Sequence, residues 1–301
     1  MTTPSSRPSA TSSTIDVPAP AKRRRDNRVW RRLRRNRRAL FGFVVLLIIV
    51  IAALLAEIVS PYDPNAQDLR SRLQGPTAEH WLGTDQFGRD VLSRMIYGGR
   101  ISLQVGFVSV GIALIIGGGM GLVGGYYSGR IDTVLMAFVD VLLALPAFLL
   151  ALAIIAALGP GLINVMIAVG IANIPAFARI TRSSVITVRE QDFVAAARAA
   201  GAKDGRVMIR HIIPNALSPV IVQVTLSLAG AILSAAGLSF LGLGAQPPTP
   251  EWGSMLSSAR PFIREAHWAV TFPGLAIVIT VLSLNFVGDG LRDALDPRSK
   301  R

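Results

Sequence analysis

The sequence contains no cysteine, which removes disulfide frameworks, zinc ribbons and thiol nucleophiles and leaves the redox compartment open. Histidine is nearly as scarce: His80, His211 and His267 lie far apart, without metal-ligand spacing. No GxxxxGK[ST] run occurs, so the chain carries no P-loop nucleotide site of its own. Charged residues are only 16% of the chain, against about 25% in an ordinary soluble domain. The balance is apolar: 51% of the 301 residues are hydrophobic and the mean hydropathy is +0.49.

This apolar excess is arranged in blocks. A helical crossing of a bilayer needs about 20 mostly apolar residues. The qualifying blocks are Ala39–Val59, Ile101–Tyr126, Val134–Leu158, Leu162–Ala178, Leu217–Leu241 and Trp268–Val287. They predict an all-α polytopic membrane protein with six transmembrane helices. The first thirty or so residues do not have the order of a cleaved signal peptide, because the basic cluster comes late and a full-length span follows it.

The net charge of +13 is concentrated at one end, since Met1–Arg38 holds 12 Lys/Arg and 2 Asp/Glu. Its run "KRRRDNRVWRRLRRNRR" stops directly against the first apolar block. A juxtamembrane basic cluster is attracted to the anionic cytoplasmic leaflet and fixes that end inside. Val29, Trp30 and Leu33 would share one face of a short interfacial helix. A nucleic-acid arm is the weaker reading, because no nucleic-acid-binding module accompanies the run. Alternation then places Arg179–His211 inside, with seven basic and three acidic residues. Ser60–Arg100, with five of each, and Gly242–His267, with two of each, fall outside. Excess Lys/Arg on the inner side agrees with that topology. The predicted organisation is a disordered basic arm over 1–38, a first span over 39–59, and an extracytoplasmic loop over 60–100. A core follows over 101–287, including an inner segment at 179–214, and then a tail over 288–301. Both termini are expected in the cytoplasm, with the chain in the cell's inner (plasma) membrane.

Gly119, Gly121 and Gly124, with Asp140 beyond them, mimic a dinucleotide fingerprint. That fingerprint needs a βαβ unit, whereas these residues lie inside apolar runs. Gly117, Gly121 and Gly125 also have the small-xxx-small spacing that lets membrane helices approach closely. Pro146 and Pro175 fall within spans and mark hinges or simple bends.

The inner segment "VAAARAAGAKDGRVMIRHIIPN", Val194–Asn215, is too polar for lipid and too long for an ordinary connection. Val194–Ala200 is a strong helix former that Gly201 suits to end; Asp204 is placed to cap a second short helix reaching Ile212. Pro214 fits the first turn of the next span. A slim alanine rod with Arg198, Arg206 and Arg210 around it suits docking in another protein's groove.

This segment resembles the EAA loop of ABC importer permeases. Ala195, Ala196 and Ala197 stand at the EAA positions, Gly201 at the glycine, and Ile213–Pro214 at the end. Ala195 replaces the glutamate and His211 an isoleucine, a form similar to the dipeptide/oligopeptide/nickel branch. "HWLGTDQFGRDVLSRMIYGGRISL", "PEWGSML" and "NFVGDGLRDALDPR" resemble further signatures of that branch. The extra first span makes the resemblance one to the C-type subunit, over Arg34–Arg298. Read physically, Val91, Leu92, Met95 and Ile96 fall on one helical face and Asp90 and Arg94 on another, as in a short amphipathic helix at the outer surface. Direct substrate contact by Asp85, Arg89 or Asp90 is the alternative.

The resemblance implies a type I ABC importer permease fold and no catalysis in this chain. It implies a second, homologous permease, two ATP-binding cassette subunits and an extracytoplasmic solute-binding protein, with ATP and magnesium held by the ATPases. The cargo implied is a di- or oligopeptide. The coupling residues expected are Ala195, Ala196, Ala197, Arg198, Gly201, Arg210 and Pro214. Intramembrane polar groups are costly and often functional, which nominates Asp140, Asn173, Gln223 and Asn285 for the substrate path. A self-contained secondary transporter is the alternative function. It would need paired halves and buried coupling carboxylates, and Asp140 is the only acid well inside a span.

Overall fold

The computed structural model describes residues 36–295, and among these its regular elements are all helices, with no strand. The basic arm before residue 36 and the tail after 295 lie outside the described residues. Helix α1 (Arg37–Leu54) starts where the Asn36 side chain accepts the Ala39 N–H at 3.2 Å, and a break at Leu55 separates it from α2 (Ala56–Val59). Then come α3 (Val91–Tyr127), α4 (Gly129–Leu143), α5 (Ala147–Leu158) and α6 (Leu162–Arg189). The short α7 (Asp192–Ala199) and α8 (Asp204–Val207) precede α9 (Ile213–Phe240), α10 (Trp252–Ala259) and α11 (Trp268–Leu295).

Four contacts fix which ends lie together. Arg100 of α3 pairs with Glu57 of α2 at 3.2 Å, and the Trp268 indole donates to the Thr84 carbonyl at 3.1 Å. This is the loop end. At the opposite end the Tyr126 hydroxyl donates to Asp204 at 2.6 Å, and Asn36 reaches Asp293 at 3.5 Å. Both ends of the described chain therefore lie on the hairpin side.

The third predicted span is not one straight helix. It breaks at Ala144–Pro146, and α4 and α5 are bent by 85°. Pro146 begins the second piece, because proline supplies no N–H to continue the first. The pair starts beside the end of α3 and finishes at Gly161, whose N–H donates to the Leu243 carbonyl at 3.0 Å beyond α9. It therefore passes from the hairpin end to the loop end as one broken crossing, which brings the crossings to six. Pro175, by contrast, sits inside an uninterrupted α6.

A second difference concerns Val91–Ile96. The helix expected there is present, but as the first turns of the 37-residue α3 and not as a separate surface element. At 1.5 Å per residue α3 is about 55 Å long, so it projects past the membrane core at the loop end. Asp90 and Arg94, expected on an open face, are 3% and 5% exposed. Other loops cover them.

The glycine stripe does what small-xxx-small spacing allows. An added Cβ at Gly117 or Gly121 would stand 2.4 Å from a carbonyl oxygen of α6, and one at Gly125 would stand 2.9 Å away. No nucleotide turn is formed. The central core gathers Val105, Val110, Val169, Phe177, Ile232 and Leu238 from α3, α6 and α9.

Candidate functional site

The polar segment between α6 and α9 folds as a helical hairpin. After α6 ends at Arg189, α7 runs to Ala199 and closes with two bonds: Gly201 N–H to the Arg198 carbonyl at 2.9 Å, and Ala202 N–H to the Ala197 carbonyl at 3.1 Å. That is a Schellman closure, which needs a left-handed residue, and Gly201 has φ +81°. Lys203, not Asp204, holds the cap position of α8. Helix α8 then continues through a widened π turn at Met208–Ile212 into α9 without a gap. The widened turn directly precedes Pro214, whose missing N–H and ring upset the regular ladder.

The hairpin has two unlike faces. Val194, Val207 and Ile212 are buried against Val185, Tyr126 and Ala216. Ala195, Ala196, Ala199, Ala200, Gly201, Arg210 and Pro214 are exposed, and Ala197 is half-buried. Phe193 and Ile209, 43% and 67% exposed, add large apolar groups to the open side.

Tyr126 ties this hairpin to α3. Its hydroxyl donates to the Asp204 carboxylate, and the Arg198 guanidinium stands 5.3 Å over its ring. Arg189 donates to the Tyr126 carbonyl at 2.9 Å and to the Ser128 hydroxyl at 2.5 Å. Arg198 is exposed, as its expected role requires, and also packs on the Tyr126 ring of its own chain. Tyr126→Phe keeps the ring but deletes a hydrogen bond to a charged group, a loss of about 1.5–3 kcal/mol. The expected outcome is faster proteolytic nicking at Lys203 in intact transporter, with the spans unaffected.

The four nominated path residues are not brought together by any hydrogen bond among the described residues. Asp140 pairs with Arg179 at 2.8 Å, and both are exposed. Asn173 donates to the Val169 carbonyl, and Gln223 to the Ser227 hydroxyl, each within its own helix. Asn285 is half-buried on α11. Sequence reasoning missed the bidentate Arg182–Asp132 pair, 2.5 Å on both arms, which with Arg179–Asp140 holds α4 to α6. It also missed Tyr126, whose partner lies 78 positions away.

At the loop end, the stretches quoted above interlock. Glu251 caps α10 by accepting from Gly253 and Ser254, and accepts the Ser102 hydroxyl at 3.2 Å. Trp252 packs against Gly98 and Gly99 and donates to the Met95 carbonyl at 3.0 Å. Asp68 caps the 3-10 turn Leu69–Ser71, and the Ser71 hydroxyl and Arg70 N–H hold its carboxyl below the ordinary range.

Residues 100–301 match the family model of binding-protein-dependent transport system inner membrane components. The chain belongs to that family. Residues 27–76 match the N-terminal transmembrane domain of oligopeptide transport permease C, so this permease is of the C type. The dipeptide transport system permease of Alkalihalophilus pseudofirmus is 50% identical over 271 residues, which cover 90% of this chain and 89% of the relative. The di/tripeptide permease of Pseudomonas aeruginosa is 50% identical over 277 residues, covering 90% and 91%. The glutathione permease of Escherichia coli is 46% identical over 272 residues, covering 90% of each chain. Among solved structures, an inward-facing methionine ABC transporter superposes with TM-score 0.56 at 19% identity, covering 68% of this chain and 97% of that one. An amino acid ABC transporter gives TM-score 0.52 at 16% identity, covering 67% and 94%. The fold is that of ABC importer permeases. The permease is a transport component of the membrane and not an enzyme.

Proposed function

We propose that this permease is one half of the membrane path of an ATP-driven importer of di- or oligopeptides, moved through its hairpin by separate ATPase subunits. The other half is a homologous permease, and a solute-binding protein delivers cargo at the loop end. ATP and magnesium stay with the ATPases. In this reading the hairpin and both termini face the cytoplasm, as the basic arm favours.

The observation that carries the reading is the two-faced hairpin. Its inner face is anchored by Val194, Val207 and Ile212, while its alanines are left open. A mobile loop would absorb a partner's motion. A hairpin clamped to α3 and continuous with α9 passes it on to two crossings. The peptide cargo rests on the dipeptide and di/tripeptide permeases at 50% identity.

The absence of cysteine makes the test clean. Ala199→Cys gives a single thiol on the exposed alanine face. Charged with a photoactivatable maleimide in the assembled transporter, it should crosslink to an ATP-binding subunit on illumination. Labelling by an impermeant reagent from outside the cell, or crosslinking to no other chain, would exclude the coupling role.

A further inference from the structure

The loop end contains a buried charge imbalance that the coupling role leaves unused. Arg89 and Arg94 are each 5% exposed. The nearest carboxylate is that of Asp85, which receives Arg89 Nε at 2.6 Å and stands 3.6 Å from Arg94 Nε. The neighbouring Asp90 is already committed. It accepts Ser93 N–H at 2.7 Å and the Ser93 hydroxyl at 2.8 Å, and contacts His80 Nδ1 at 3.0 Å. Two guanidiniums therefore share one carboxylate.

They use their donors differently. Arg94 spends its terminal nitrogens on the Pro64 carbonyl at 2.8 Å and the Pro248 carbonyl at 3.4 Å, stapling two loops together. The two terminal nitrogens of Arg89 donate to nothing among the described residues. These nitrogens are not sealed off from solvent, so they stay free to meet a ligand in the cavity that Arg89 lines. Arg89 is also held in position. Asp85 grips its Nε, and the Phe87 ring lies 4.7 Å from its Cζ. It lines a cavity of about 320 Å³ whose other walls include Gln86, Gln246, Thr249, Ser254 and Ser257. A fixed guanidinium that shares its one carboxylate with a second arginine, set in a pocket of mixed apolar and polar walls, suits a bidentate carboxylate.

We infer that this pocket is a carboxylate site that receives the C-terminal carboxylate of the peptide cargo at the loop end, with Arg89 as the binding residue. The inference rests on the peptide-importer reading above. The hydroxyls and amides around Arg89 supply neutral contacts to the adjoining peptide unit. Asp85 keeps the guanidinium fork pointed at the cavity.

The test uses the whole importer in proteoliposomes, with saturating binding protein loaded with radiolabelled alanyl-alanine or with alanyl-alanine amide. The readout is the ratio of initial uptake rates, carboxylate over amide, compared across variants with the same receptor. Arg89→Gln should lower that ratio about ten- to a hundredfold, the range for losing a charge-assisted hydrogen-bonded pair. Arg89→Lys, which keeps the charge without the fork, should fall between. Equal loss for both peptides would reduce Arg89 to a structural part. An unchanged ratio at full rate would leave the cavity to water alone. An unchanged ratio with weaker receptor docking would assign the cavity to an acidic side chain of the binding protein. Any of these three overturns the inference and leaves the peptide-importer reading standing. Uptake of no di- or oligopeptide by the unmodified importer would overturn both.

Discussion

Gly201→Asp is expected to abolish uptake while the protein remains in the membrane at its normal level. The cause is backbone geometry. Gly201 has φ +81°, and a Cβ placed there meets nothing within 4 Å. No clash in this chain opposes a side chain. The cost is that of an L-residue in the left-handed region, roughly 1–2 kcal/mol, placed on the turn that closes α7. Aspartate adds a negative charge near Asp204. Gly201→Asn separates these effects, since asparagine tolerates that region, and it should retain the larger share of uptake. Gly201→Val should behave like aspartate. Uptake by the valine variant at the unmodified rate, with ATPase binding intact, would remove Gly201 from the mechanism.

The half-buried Ala197 offers the complementary experiment. Its carbonyl accepts the Ala202 N–H that closes α7, and its methyl borders the open alanine face. Ala197→Trp leaves every backbone bond available but thickens the rod. Uptake lost with ATPase subunits no longer copurifying points to a groove filled too full. Uptake lost with the subunits still attached points to a docked hairpin that no longer moves α3.

These positions show what pattern reasoning can reach. The crossings follow from apolar block length alone, which depends on bilayer thickness and not on tertiary detail. The hairpin was legible for a similar reason: an alanine run, a glycine at its end and a proline before the next block are local signals. What stayed hidden depends on contacts distant in sequence. Tyr126 reads as an interfacial aromatic until Asp204 and Arg198 are placed against it. Arg94 reads as the polar face of an amphipathic helix until Pro64 and Pro248 cover it. Intramembrane polarity nominated Asp140, yet its partner Arg179 lies at the edge of the next block, where sequence separation gave no sign of pairing. The bend after Leu143 was half-legible, since Pro146 announces a break and says nothing of an 85° turn.

The largest effect on stability is expected at Asp85. Its carboxylate accepts the Phe87 N–H at 2.8 Å, the Arg89 N–H at 3.0 Å and Arg89 Nε at 2.6 Å, with Arg94 Nε close by. Asp85→Ala therefore strands two backbone donors and leaves two buried guanidiniums with no counter-charge. Removing one partner of a buried pair costs about 3–5 kcal/mol, a large part of the roughly 5–15 kcal/mol that holds a typical domain. The detergent-solubilised variant should melt roughly 10 °C lower, and its loop end should be cut by protease first. Asp85→Asn, which keeps an oxygen acceptor for the two N–H groups but not the charge, should lose about half as much. The double change Asp85→Ala with Arg89→Ala should be more stable than Asp85→Ala alone, because it removes one of the two stranded cations. That ordering separates a charge effect from a packing effect: were the double variant the weaker, Asp85 would be acting through shape, and the imbalance that makes Arg89 a binding residue would not exist.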